Sequence, residues 1–409
     1  MTSLYFYDDA TARALEPFAL TRPAAELRVG AWLVRERWAS LLGGEAAASV
    51  CAPHLARFEE PGAAPVTTES IPAGAWLVNA RCAPALGGAA QGADRGAGVL
   101  RVQGRVAAVR LARALPPPEL RDGTLSLESL ATAARGAELD GFWVDAAWDL
   151  VVAIGALLAA DIEAVATQRE TAAMEPDRCA VLGGSADRAV YVEEGAVVEP
   201  FVTFDLSSGS VYLERGATLQ SFTRIAGPCW IGRDSVVGSD RVASVVVGDT
   251  CKVHGEVSNT VFLGHCNKGH DGFVGHSYLG RWVNLGANTV TSNLKNTYGT
   301  VELWTPAGIR GSGQQFLGTL FGDHAKTGIG LTLTTGTVLG AGAQVYGSQM
   351  PPKVVPPFAW GDEPPYDVYR LDKFLEVAER VMGRRHVELT EGARAQLSAA
   401  HAARWSADS

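Results

Sequence analysis

At 409 residues, with 47% hydrophobic and 19% charged side chains, the chain is longer than one core usually grows and has neither a disordered nor a fibrous composition. A net charge of −9 without a long basic run excludes a phosphate-tracking nucleic-acid surface, and six scattered cysteines without a CxxC pair argue against structural zinc and a disulfide framework. The acidic opening "MTSLYFYDD" is no signal peptide and "LVVAIGALLAADI" (150–162) is too short to span a bilayer, so the expected setting is a reducing cytoplasm with no membrane partner.

In chain order, "SLYFYDD" reads as a buried strand, "AAELRVGAWLVRERWASLLG" contains a helix, "GAWLVNA" is a second strand and "ALPPPEL" (114–120) is a loop. "AWDLVVAIGALLAADIEAV" reads as a helix. This alternation predicts a helix-covered sheet, set here at residues 1–170.

From Val190 the period changes. Leu213, Leu219, Ile225, Ile231 and Val237 recur every six residues, as do Leu333, Leu339 and Val345. Neither helix nor simple strand has this period; a parallel β-helix does, with three short strands per coil and eighteen residues as the implied coil length. Each coil stacks its aliphatic on the one below, which leaves the corners to polar residues. The repeat runs to about Gly361, in a domain set at residues 178–361, with a loop or irregular coil expected over 295–327. Prolines then end it. Within the remaining 362–409, Val368, Leu371, Leu375, Ala378 and Met382 fall on one helical face, a second short helix is expected near 389–404, and packing back onto the β-helix or a neighbouring subunit is expected.

The repeat stretch "NKGHDGFVGHSYLGRWVNLGANTVTSN" (267–293) gathers histidines and asparagines into a glycine-rich frame. His270 is bracketed by Gly269 and Gly272, and Asn284 lies fourteen residues later. An imidazole titrating near ~6.5 suits a general base, and N–H groups at a glycine-flanked turn suit an oxyanion. Asn284 fits either a pocket or a corner where its amide satisfies local backbone. His254, His265 and His276 read as turn or packing residues.

An α/β domain, a six-residue repeat and a helical tail, with "NKGH" followed by "NLGANT", resemble the GlmU-type proteins, bifunctional sugar-1-phosphate nucleotidyltransferases and amino-sugar acetyltransferases. The resemblance covers nearly the whole chain. It implies a Rossmann-like nucleotidyltransferase domain followed by a left-handed β-helix, acetyl-CoA as acyl donor, an amino-sugar phosphate or nucleotide-linked amino sugar as acceptor, and a homotrimer with sites between columns. It makes His270 the base, with Phe273, Asn284 and Asn293 around the acceptor. Phe273 stands where that family offers a tyrosine hydroxyl, and Leu294 comes after Asn293 where it continues with tyrosine.

For coenzyme A, Gly328 and Gly340 are expected to leave room for the pantetheine arm and Lys353 to meet a phosphate. In the first domain the family's glycine-rich phosphate loop reads "DDATARALEP", where Arg13 and Pro17 match, and "TRPAAEL" carries Ala24 where a lysine is usual. Asn79 takes the place of the family's Mg²⁺-binding aspartate, so Mg²⁺ is expected only if this domain is active. Asp145 or Asp149 either compensates or caps a helix. Arg22 and Arg28 bind either a phosphate or a structural carboxylate. Two other readings stand beside this one. A zinc enzyme would use His265 and His270, five residues apart as in trimeric β-helical carbonic anhydrases, but the region near Cys229 has no further histidine. A non-catalytic nucleotide-sugar scaffold or sensor would keep the β-helix for assembly alone.

Overall fold

The computed structural model describes residues 2–87, 97–131, 136–173, 179–184, 188–238 and 240–406. The chain divides into two units, Met1–Asp149 with Thr390–Ala403, and Leu150–Leu389 with Arg404–Ser409.

The first unit is built on a six-stranded sheet in the order Gly44–Val50, Thr2–Tyr7, Trp76–Asn79, Arg105–Arg110, Val99–Val102, Gly136–Leu139. Thr2–Tyr7 runs parallel to both neighbours, and Tyr7 pairs with Asn79. The segments that leave Tyr7 and Asn79 therefore emerge side by side at the carboxyl ends of their strands, where open α/β sheets place ligands. Arg105–Arg110 turns back antiparallel, and the outermost strand is parallel to Val99–Val102. Tyr7, Leu77, Val99 and Val109 fill the core on one side. Helix α1 (Val34–Leu42) begins with Glu36 accepting from the Leu33 N–H (3.0 Å) and ends at Gly43, whose φ of +58° suits glycine. A short helix, α2, covers Pro117–Leu120.

Helix α3 (Asp149–Ala166) begins at the last residue of the first unit's main segment and runs on in the second. The β-helix comes next as three parallel ladders. The first flank stacks Val211–Leu213, Cys229–Ile231, Val246–Asp249, Val261–Gly264, Tyr278–Leu279, Thr319–Phe321 and Thr337–Leu339. The second carries Lys252–Val253 and Asn267–Lys268, continues through Asn284 and reaches Lys326–Thr327. The third carries Val257–Ser258 and Val274–Gly275. Leu213, Ile231, Val247, Phe262, Leu279, Phe321 and Leu339 are all completely buried in one column. Each such side chain is worth roughly 1.5–3 kcal/mol on burial.

The eighteen-residue coil is correct for Leu213 to Ile231 and for Phe321 to Leu339, but Ile231 pairs with Val247 and Val247 with Phe262, so the middle coils are shorter. Those coils lose residues at their corners while each strand still places its aliphatic inward. The excursion is also shorter than expected. It closes with the antiparallel bridge Leu294–Phe316, holds a hairpin of Glu302–Thr305 and Gly308–Gly311, and the column resumes at Thr319.

Helix α4 (Leu371–Gly383) buries Phe374, Leu375, Ala378 and Met382. Val368, expected on that face, lies in a strand pairing with Ala359 and is half exposed, because the chain stays extended up to Arg370. Helix α5 (Glu391–Ala402) belongs to the first unit instead of the β-helix: Gln396 Nε2 donates to the Thr21 carbonyl at 3.2 Å. Among the described residues, no helix is long and apolar enough to cross a membrane.

Candidate functional site

At the carboxyl ends of Thr2–Tyr7 and Trp76–Asn79 the sequence places Asp8, Asp9, Asn79 and Arg81. Arg81, 5% exposed, donates from Nε and Nη2 to the two oxygens of Asp9 (2.8 and 2.7 Å) and from Nη1 to Asp145 and the Val144 carbonyl. Asn79 Nδ2 donates to Asp9 at 2.9 Å, and Asn79 Oδ1 accepts from the Arg81 N–H. Arg105 takes both oxygens of Asp145 and lies over the Trp143 ring, 3.8 Å from its centroid. Burial pushes the carboxyls of Asp9 and Asp145 up, but their guanidinium partners outweigh it and hold both below the usual range. Asp8 is different: burial drives it up to about 7, although it accepts from the Ala24 N–H.

The resemblance puts a Mg²⁺ site here. A hard cation needs free, anionic oxygens. Asn79 is neutral, Asp9 is closed by Arg81 and Asn79, and Asp145 is shared by two arginines. These residues do not fit the ion. Asp145 thus serves the network, while Asp149, the first residue of α3, accepts from the N–H groups of Asp145 and Ala146 ahead of the helix.

The three arginines considered for phosphate are engaged with protein. Arg13 donates to the carbonyls of Asp8, Leu120 and Arg121 (2.9, 3.1 and 2.7 Å) and so ties two loops together. Arg22, 2% exposed, forks onto Glu60, the structural-carboxylate alternative. Arg28 is buried and donates to the Ala31 carbonyl. Arg22 and Arg28 are buried and Arg13 is partly exposed, and each is held by these protein partners.

In the β-helix, His270 stands at the corner between the second and third flanks. It is exposed, its carbonyl accepts from Lys268 Nζ at 2.6 Å, and its ring makes no hydrogen bond among the described residues. Burial lowers the Lys268 ammonium to about 8. The other β-helix histidines are engaged: His254 with Gly238 and Asp271, His265 stacked on Trp282 at 4.1 Å, His276 with Asn293 at 2.8 Å, and His324 buried near Trp282. Burial pulls His276 down to about 4. The spacing that marks His276 as a turn or packing residue gives no sign of its contacts with Asn293 and Phe316, since Phe316 arrives from the far end of the excursion.

The residues grouped around His270 divide between two flanks. Asn284 lies on the second, its Oδ1 accepting from Asn267 Nδ2 at 2.8 Å. Phe273 and Asn293 lie on the third, both against Gly275. No hydrogen bond joins His270 to any of them. Gly328 and Gly340 sit where the next coil comes close. A Cβ on Gly328 would sit 2.8 Å from the Tyr346 Cβ, and one on Gly340 only 2.3 Å from the Pro357 nitrogen, so both serve coil-to-coil approach. Lys353 is exposed, with its ammonium lowered by partial burial and by Lys295. Among the described residues no three histidine, cysteine, aspartate or glutamate side chains are grouped to hold a metal, so His265 and His270 have no third partner there.

The first unit thus carries a mixed sheet with carboxylates at its strand ends, and the second a β-helix with a histidine at one corner. Residues 4–170 match the model of the sugar nucleotidyl transferase family. The chain is similar to a bifunctional sugar-1-phosphate nucleotidylyltransferase/acetyltransferase of Sulfurisphaera tokodaii, 33% identical over 91 residues, covering 22% of this chain and 23% of the relative. It is also similar to the bifunctional protein GlmU of Bartonella quintana, 25% identical over 163 residues, covering 38% of this chain and 31% of the relative. Residues 4–170 are thus similar to the sugar nucleotidyl transferase family, and both relatives are bifunctional proteins of the kind that the resemblance to GlmU-type proteins implied. The matches span under a third of the relatives' length.

Proposed function

We propose that the protein is an acyl-CoA-dependent N-acetyltransferase for an amino-sugar phosphate or nucleotide-linked amino sugar, attached to a nucleotidyl transferase-family domain that does not run Mg²⁺ chemistry. The observation that carries this reading is the ring of His270 at the corner, without a hydrogen bond among the described residues, beside four β-helix histidines that are all held. His270 takes the proton from the acceptor amine as its nitrogen attacks the thioester carbonyl of acetyl-CoA. The C–N bond forms, the C–S bond breaks, and the proton passes to the departing thiolate, giving amide and free coenzyme A. N–H groups around Gly269 and Gly272 are suited to the oxyanion.

The division of Asn284 from Phe273 and Asn293 favours a site shared between columns, because one column turns these groups to different flanks. A closed trimer gives each subunit two distinct faces to contribute. The test is thiol release from acetyl-CoA across amino sugars, their 1-phosphates and nucleotide-linked forms, with light scattering for assembly. Turnover by a trimer supports the reading; a monomer at micromolar concentration overturns the shared site. Absence of thiol release with every acceptor, together with binding of nucleotide sugars alone, favours the scaffold or sensor.

A further inference from the structure

The second flank carries a recess of about 310 Å³, framed by Lys252, Lys326, Arg384 and Arg385 together with the amides of Asn267 and Asn284. No carboxylate lines it. None of the four cations has an ion-pair partner among the described residues, in a chain where acidic residues outnumber basic ones by 44 to 35. Lys326 is the most telling. It is half-buried, its Nζ donates to the His324 carbonyl at 3.1 Å, and burial lowers its ammonium to about 8, the mark of a charge without its counter-ion. A buried cation is normally paired. Asn284 uses its oxygen to accept from Asn267, and its NH₂ donates to no protein group among the described residues.

Arg384 and Arg385 come directly after helix α4, whose carboxyl end carries about half a negative charge. That accounts for part of one cation's placement and leaves the rest uncompensated. Two guanidinium forks and two ammonium groups around one small volume match the oxygens of a phosphate. The recess is at the small end of ligand pockets, sized for a sugar phosphate or a pyrophosphate group but not for a whole coenzyme. Trp282, stacked between His265 and His324, fixes one wall.

We infer that the recess between Lys252, Lys326, Arg384 and Arg385 binds the phosphate of a small phosphorylated ligand. The site does not depend on His270 acting as a base. Its place beside Asn284 makes an acceptor-sugar phosphate or a coenzyme A phosphate the two sources of the same chemistry.

The experiment is calorimetric titration of the full chain with inorganic pyrophosphate, glucosamine-1-phosphate, glucosamine and coenzyme A, each at low and high salt. Pyrophosphate is expected to bind, more weakly at high salt, and glucosamine is not. Tighter binding of glucosamine-1-phosphate or of coenzyme A identifies the source. Lys326→Met and Arg385→Gln should each weaken pyrophosphate by about tenfold or more, as for loss of a charge-assisted hydrogen bond. Lys295→Met, outside the recess, should leave it unchanged, and thermal melts check that each variant folds. Equal affinity for glucosamine and its phosphate, or wild-type pyrophosphate affinity in folded Lys326→Met and Arg385→Gln, overturns the inference. Because binding is read without turnover, a failed acyl-transfer assay leaves it standing, and His270→Ala should keep the affinity.

Discussion

Arg81 clasps Asp9 through two nitrogens, Nε at 2.8 Å and Nη2 at 2.7 Å, so that a guanidinium lies against the carboxylate at the end of the strand Thr2–Tyr7. The pair is mostly buried, with side-chain exposures of 6% and 18%. Removing one member of such a pair leaves the other charge uncompensated. Arg81→Met should therefore lower unfolding free energy by about 3 kcal/mol, measured by urea denaturation; a loss below a tenth of that would mean that the clasp contributes nothing.

The same clasp predicts a domain indifferent to Mg²⁺. Adding millimolar Mg²⁺ should leave the melting temperature unchanged, and pyrophosphate release from UTP or dTTP with sugar-1-phosphates should stay at background. Robust release would show that the network opens when a nucleotide arrives.

His270→Ala should reduce thiol release by about 10²–10⁴, the usual value of a positioned general base. Assembly and coenzyme A affinity should persist, since an exposed corner residue adds nothing to the aliphatic column. If the wild type works and the variant keeps its rate, His270 is not the base.

His276 gives a pH dependence. Burial lowers its pKa from 6.5 to about 4, so the unfolded chain binds the proton more readily. The stability this neutral ring contributes is fully present above about 6.5 and is lost as pH falls through about 4. In His276→Leu the decline of stability over that window should be shallower than in the wild type, monitored by denaturant midpoints at each pH.

Gly340→Ala places a methyl group 2.3 Å from the Pro357 nitrogen, against backbone that cannot rotate away. The coils must part locally, at a cost of about 1–3 kcal/mol. A calorimetric scan showing no loss would mean that the next coil can shift freely.

The six-residue rhythm made the β-helix legible because every coil repeats one inward position, from Leu213 to Leu339. The ends of the excursion were not, since the bridge from Leu294 to Phe316 depends on where the column can be re-entered rather than on any local pattern. Val368 fitted a helical spacing, yet pairing with Ala359 decided its conformation. At the candidate sites, His270 and Asn79 stood out from spacing and from a missing carboxylate. Arg81 carried no signal, because nothing in "WLVNARC" tells that its guanidinium reaches Asp9, seventy-two residues earlier. Arg22 and Arg28 could not be assigned without knowing which carboxylates and carbonyls folding brings near.

The first unit takes its main sheet from the beginning of the chain and α5 from near its end. A ribosome therefore releases that sheet long before the helix that donates Gln396 to Thr21. Throughout synthesis of the repeat, the patch that later receives Ala393, Leu397 and Ala400 stays open to chaperones. A stop codon shortly before residue 390 would spare every coil of the column and yet leave the oldest part of the protein unfinished.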